Sequence, residues 1–301
     1  MPSFNLTYLT ANRSLRSSAR GFYDVRFLCL PKKYFKEKNM KKIVALCLSI
    51  VMLLSVSLVL TSCEEKRTLY EGNIYELSED GESYAFASLD QSYTETKFEI
   101  PSTVNDKPVT SIGDEAFAYH FPNITSITIP ETVTTIEINA FRDCVSLTTV
   151  KLPGKLTTIG EQAFLGCSAL ETISLPDSVT SIARGAFKDC VSLKSVILPE
   201  GLTLISESTF DNCKNLETVD IPGSVTRIDD FAFSGCTSLK TLNIPASVTF
   251  FGGSVFGSAG LEKINYGGTK AQWLEVNGAN ESTEWYYDIY CSDGTINKTE
   301  N

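Results

Sequence analysis

Six phenylalanines, Phe141, Phe164, Phe187, Phe210, Phe233 and Phe256, recur at intervals of 23 residues, and this period constrains the fold more than any other feature of the chain. Five cysteines keep the same interval three residues further on: Cys144, Cys167, Cys190, Cys213 and Cys236. Segments beginning at Ile129, Leu152, Leu175, Leu198, Ile221 and Ile244, each marked by a proline at its second position, repeat the interval again. An earlier copy runs from Ile100 through Val109, Ile112, Ala116 and Phe117 to Ile124 and Ile127, with His120 at the cysteine position and one extra residue before Ile124. The last copy has Ala259 in place of cysteine and lacks one residue before Leu261. A unit this short cannot bury its apolar side chains alone, so the copies must stack and share one core.

Within a coil, Leu147, Val150 and Leu152 are expected to point inward from a short strand, which Pro153 ends by removing an amide donor. Leu156 and Ile159 then line the far wall, and Ala163 with Phe164 turns the chain back. A period between 20 and 29 residues with an L-x-x-I-x-L core belongs to solenoids of the leucine-rich kind. The predicted fold class is a β-rich solenoid, a right-handed leucine-rich repeat coil of about 23 residues per repeat with short parallel strands and short turns, capped at both ends. The unit L-P-x-x-L/V-T-x-I-x-x-x-A-F-x-x-C-x-x-L-x-x-I-x resembles the BspA-type leucine-rich repeat family of bacterial cell-surface proteins, from about Tyr70 to the C-terminus. The resemblance is specific for fold; for function it implies adhesion or host-protein binding for some members only. IPSTVNDKPVTSIGDEAF looks like the entry to such an array, and YGGTKAQW followed by YCSDGTI looks like its exit.

Ahead of the repeats lies a different kind of sequence. Met40 opens MKKIVALCLSIVMLLSVSLVLTSCEEK, in which two lysines precede an apolar run from Ile43 to Leu60, the layout of a secretion signal. Its end, Leu60-Thr61-Ser62-Cys63, resembles the bacterial lipobox, which implies a lipidated Cys63 as the mature N-terminus. A plain transmembrane helix is the alternative, since 18 positions just suffice to span a bilayer. Either way, lysines before the run and Glu64 and Glu65 after it put the body outside the cytoplasm. Residues 1–39 fit neither reading and are assigned to a start codon placed too early or to a disordered extension. The expected organisation is 1–39 as that extension, 40–62 as lipoprotein signal peptide, 63–99 as N-terminal tether and cap, 100–265 as repeats and 266–301 as C-terminal cap.

Charge follows the same division. Residues 1–62 hold ten Lys/Arg and two acids, leaving the remainder with a net charge of −18 within an overall −10. A body that acidic argues against a nucleic-acid partner. His120 is the only histidine, and it has no Ser or Cys nucleophile in a recognisable setting beside it. Motifs for acyl transfer, zinc hydrolysis, phosphate or dinucleotide binding and EF-hand calcium are absent from the sequence. No enzyme, cofactor or metal is therefore expected. The periodic cysteines have three readings, buried reduced filler, disulfide or metal ligand, and parallel stacking favours the first, because equivalent Cβ vectors do not converge. Cys29 and Cys47 lie in segments removed on maturation, and Cys291 is assigned to packing in the terminal cap. Asp229 and Asp230 are read as a solvated turn, with calcium as the alternative.

The solvent side of the strands is where function is sought. Its first column, Thr148, Glu171, Lys194, Glu217, Lys240 and Glu262, predicts opposite charges stacked on alternate coils. The second, from Ser126 to Thr241, is a hydroxyl ribbon, and the third reads Thr128, Lys151, Ser174, Ile197, Asp220, Asn243 and Asn265. Lys194, Ile197, Glu217 and Asp220 are the predicted ligand-binding residues, because Ile197 is an apolar side chain at an exposed strand position beside acids. The partner expected is an extracellular protein or glycan, with the membrane reached through the lipid and no nucleic acid. The lack of an exposed aromatic ladder weighs against a glycan, whereas Trp273, Trp285, Tyr286 and Tyr287 either form such a platform or close the end of the solenoid. The function read from sequence is a non-enzymatic, lipid-anchored surface recognition protein; the alternative is a passive structural or spacer protein of the cell envelope.

Overall fold

A computed structural model describes residues 66–119, 121–279 and 287–297, all within one compact unit, Val59–Asn301. Residues 1–39, the segment 40–62, Cys63, His120, Trp285 and Tyr286 lie outside the described residues. Among the described residues no helix is long and apolar enough to cross a membrane.

The chain winds as a β-solenoid. Each coil gives one three- or four-residue strand to a wall of parallel strands made of Ser126–Thr128, Thr149–Lys151, Thr172–Ser174, Ser195–Ile197, Thr218–Asp220, Thr241–Ile244 and Lys263–Tyr266, whose pairing is interrupted between Thr149–Lys151 and Thr172–Ser174. Partners across it are one repeat apart, as in Ile173↔Val196 and Val196↔Val219, and these apolar residues face the core while their neighbours face water. The far wall is a second ladder and not a plain turn: Thr135–Ile136, Thr158–Ile159, Ser181–Ile182, Leu204–Ile205, Arg227–Ile228 and Phe250–Phe251. It is interrupted between Ser181–Ile182 and Leu204–Ile205, where the Ser206 hydroxyl donates to the Ile182 carbonyl at 2.6 Å. In the neighbouring coils that bond comes from a backbone amide, as from Ala183 to Ile159 and from Asp229 to Ile205. Threonine reinforces this wall. Thr157 sends both its amide, at 2.8 Å, and its hydroxyl, at 3.0 Å, to the Thr134 carbonyl, and Thr226 and Thr249 repeat the device on later coils.

The remaining corner carries the periodic phenylalanines. Their rings stack without a gap from Phe86 and Phe117 through Phe141, Phe164, Phe187, Phe210 and Phe233 to Phe256, at 4.8 to 6.3 Å and interplanar angles of 5 to 17°. To turn so tightly, each coil places two residues in the left-handed region. The second of these positions is filled by Asp143, Gly166, Asp189, Asn212 and Gly235, residue types that tolerate it best, and in the first and last copies by Tyr119 and Ser258.

The first and last copies depart from the regular register. The sequence register puts His120 in the cysteine slot, but the interior position belongs to Phe121, whose carbonyl accepts from the Ile124 amide as that of Cys144 accepts from Leu147. The extra residue of this copy thus falls before Phe121 in the chain. In the last copy Ala259 does sit in the slot, donating to the Phe256 carbonyl as Cys236 donates to that of Phe233. The missing residue there is compensated by Gly260, which passes so close that a Cβ would lie 1.9 Å from the Thr237 carbonyl oxygen.

Both ends leave parallel pairing for antiparallel hairpins. At the N-terminal end Arg67–Tyr70, Asn73–Leu77 and Tyr84–Ser88 form a meander whose last strand runs parallel to Lys107–Ile112 and so continues the far wall. At the C-terminal end Asp288–Cys291 joins Lys263–Tyr266 in parallel and then pairs antiparallel with Gly294–Ile296. The open core beneath is closed by the helix Lys270–Glu275, capped by a reciprocal Thr269–Gln272 pair, whose Trp273 is fully buried against Phe251 and Tyr266. Trp273 is therefore a plug for the solenoid, and Tyr287 packs against the same core.

Candidate functional site

The strand face collects the outward residues of the first ladder. Lys194 and Glu217 stand just before two consecutive strands, and Ile197 and Asp220 are in-register partners within them, so all four sequence-predicted residues share one exposed patch. Ile197 is 70% exposed between Ser174 and Asp220. Its position near the end of the strand, opposite in phase to buried Val196 and Leu198, prevents it from reaching the core.

The expected charge ladder is only half formed. Lys194 Nζ lies 2.7 Å from Glu171 Oε2 and Lys240 Nζ lies 3.7 Å from Glu262 Oε1, while Glu217 between them makes no ion pair among the described residues. The hydrogen bond from Lys194 to Glu171 holds that ammonium above its ordinary range. Column one is therefore two separate pairs, and Lys194 already has its partner.

The third column is longer than the sequence showed. Because Asp288–Cys291 pairs in register with Lys263–Tyr266, Tyr290 stands next to Asn265, and the column reads Ser174, Ile197, Asp220, Asn243, Asn265, Tyr290. Tyr290 lies outside the 23-residue period; the one available signal was the apolar alternation of DIYC before the Asp293-Gly294 turn. The ring is 43% exposed, with the Lys263 ammonium 5.6 Å from its centroid. Asn265 Nδ2 donates to Asn243 Oδ1 at 2.8 Å. Where three of these strands end, Ile221, Asn243, Ile244, Pro245, Asn265 and Tyr266 line a hollow of about 370 Å³.

Other chemistry-bearing residues are engaged in structure. All five periodic cysteines are buried and unbridged, and each thiol donates to a phenylalanine carbonyl of the preceding coil at 3.1 to 3.4 Å: Cys144 to Phe117, Cys167 to Phe141, Cys190 to Phe164, Cys213 to Phe187 and Cys236 to Phe210. The slot thus uses the sulfur as a donor, which the filler reading missed. Burial pushes the Cys144 and Cys236 thiols up to about 12 and raises the other three well above their ordinary range, the opposite of what a reactive thiolate needs. Asp229 pairs with Arg227, and the Asp230 carboxylate accepts the Gly253 amide at 2.7 Å, so both acids stabilise the corner. Among the described residues no group of His, Cys, Asp and Glu is arranged to hold a metal ion.

Comparison with known proteins agrees with this geometry. The BspA type Leucine rich repeat region is matched in six copies by residues 110–183 and 158–273, together more than half of the chain. A leucine rich cell surface protein from Faecalibacterium prausnitzii A2-165 has a solved structure that is 35% identical, with a TM-score of 0.62 over 66% of this chain and 54% of its own. This chain accordingly spans about half the length of that protein. A leucine rich repeat protein from T. pallidum is 27% identical, with a TM-score of 0.54 over 67% of this chain and 86% of its own. No curated protein matches the chain. From repeat, fold and match alike, the chain belongs to the BspA type leucine rich repeat family.

Proposed function

We propose that this protein is a non-enzymatic lipoprotein of the bacterial cell surface that recognises an extracellular protein or glycan through the outward face of its strand ladder. The observation that carries the reading is Ile197, an aliphatic side chain 70% exposed on the sheet, in register with Asp220, whose carboxylate has no hydrogen bond or ion pair among the described residues. A sheet whose inner residues do all the packing leaves such positions free to contact a partner, and interfaces draw their energy from a few central positions of this kind. The surface location is supported by the family and by the cell surface description of the Faecalibacterium prausnitzii protein. Lipid attachment at Cys63 is supported by the Leu60-Thr61-Ser62-Cys63 sequence at the end of an apolar run.

Two experiments test this reading. Immobilised extracellular-matrix proteins and glycans should capture the full chain saturably, and Ile197→Ser with Asp220→Ala should weaken the capture by about tenfold, about 1.4 kcal/mol, with the melting temperature within a few degrees of the parent. Absence of saturable capture by any of them would leave the passive spacer reading in its place. For the anchor, metabolic labelling with a radioactive fatty acid should mark the parent and not Cys63→Ala; label persisting in the variant would reject lipidation at that residue.

A further inference from the structure

Within the strand face, and resting on the reading of that face as a recognition surface, the carboxyl-terminal end of the third column holds a site with its own chemistry. Asn243 and Asn265 are bonded to one another once, at 2.8 Å. A side-chain amide has two N–H donors and an oxygen with two lone pairs. Among the described residues the Asn243 Nδ2 and the Asn265 Oδ1 therefore stay available, a donor on one strand and an acceptor on the next, on strands spaced by about 4.8 Å. The hollow beside them is about 370 Å³ and has an apolar lining of Ile221, Ile244, Pro245 and Tyr266, with no charged residue among those that line it. That size lies at the small end of the range of roughly 300 to 1,000 Å³ in which compact ligands are held.

An apolar floor with uncharged hydrogen-bonding groups at one rim fits a ligand that is itself apolar on one face and hydroxylated at its edge. A sugar ring has that form and about the length of one strand spacing. An extended peptide laid along the column does not, because its side chains return to one face every 6.7 Å or so. We propose that this hollow and the amide pair bind a neutral glycan. One ring lies against Pro245, Ile221 and Tyr266 with hydroxyls on Asn243 and Asn265, and the next ring along the column meets the exposed ring of Tyr290.

The test is a printed array of neutral and acidic oligosaccharides probed with the full chain, followed by titration calorimetry with the neutral oligosaccharide giving the strongest signal. Neutral oligosaccharides should bind in preference to sialylated or sulfated ones. Asn243→Ala with Asn265→Ala should lower that affinity at least tenfold with an unchanged melting temperature, and Tyr290→Ala should lower it less. Failure of every neutral oligosaccharide to bind, a preference for acidic ones, or binding that survives the double asparagine variant would overturn the proposal. If matrix-protein capture is lost in Ile197→Ser with Asp220→Ala yet persists in the asparagine variant, and no neutral glycan binds, the glycan site is rejected and the broader recognition reading stands. If nothing binds at all, both are rejected.

Discussion

The phenylalanine corner and the strand face are built by the same repeat, yet they use it in opposite ways. On the corner the five cysteine-bearing coils reach their predecessors through the same atoms: a thiol to a phenylalanine carbonyl, a ring on a ring. On the face the outward columns change from coil to coil, with two isolated ion pairs in one and an aliphatic, a carboxylate, two amides and a phenol in another. The first surface is defined by bonds between coils and the second by what such bonds leave over. Regularity in a solenoid therefore marks stability, since the total is close to a sum of neighbour terms. Function is to be sought where the columns stop repeating.

The largest effect that could break this contrast comes from alkali. In the folded chain burial lifts Cys144 and Cys236 to about 12 and raises the other three periodic thiols well above their ordinary range, whereas a thiol in the unfolded chain ionises at about 8.5. Above that pH the unfolded chain gives up protons that the folded chain keeps, so stability is complete below about pH 8.5 and falls as pH rises toward the folded values. Each thiol removes about 1.4 kcal/mol per pH unit in that window. Five acting together remove about 7, comparable to the whole stability of a domain. Far-ultraviolet circular dichroism should show cooperative unfolding before about pH 11. The triple variant Cys167→Ala, Cys190→Ala, Cys213→Ala should lose stability at neutral pH, about 1 kcal/mol per site, yet show a shallower alkaline slope. Retention of the full signal at pH 12 would mean that the thiols are not sealed in the corner.

Much of the corner was legible because a 23-residue period fixes register without any three-dimensional information: the ring stack, the buried cysteine column and Ala259 in its slot all follow from spacing. His120 was misplaced for a physical reason. An inserted residue can be absorbed on either side of an interior position, and Phe121, with more apolar surface to bury, takes the core. The far-wall ladder was legible only as apolar residues, since a two-residue strand has no alternation to read, and the threonine hydroxyls that reinforce it looked like ordinary polar surface. The face was legible as a set of columns but not as partners. Which lysine chooses which glutamate depends on rotamers, and Tyr290 enters its column only through a cap strand outside the period.

Thr157 and Lys194 sharpen the comparison at its weak end, because both are exposed residues that bond to the preceding coil. Thr157 belongs to the repeated set: its hydroxyl adds a second donor to the Thr134 carbonyl, which keeps the Thr157 amide if the hydroxyl is removed. Thr157→Val should therefore cost only about 0.5 to 1 kcal/mol, seen as a drop of a few degrees in melting temperature. Lys194 belongs to the face. Its bond to Glu171 joins two exposed side chains, and holding both in one geometry offsets most of the attraction between them. Lys194→Ala should leave the melting temperature unchanged within error at physiological salt, and raising the ionic strength should not separate variant from parent. A loss for Lys194→Ala as large as that for Thr157→Val would show that the face shares in stability, and would remove the reason for treating its variable columns as free for a partner.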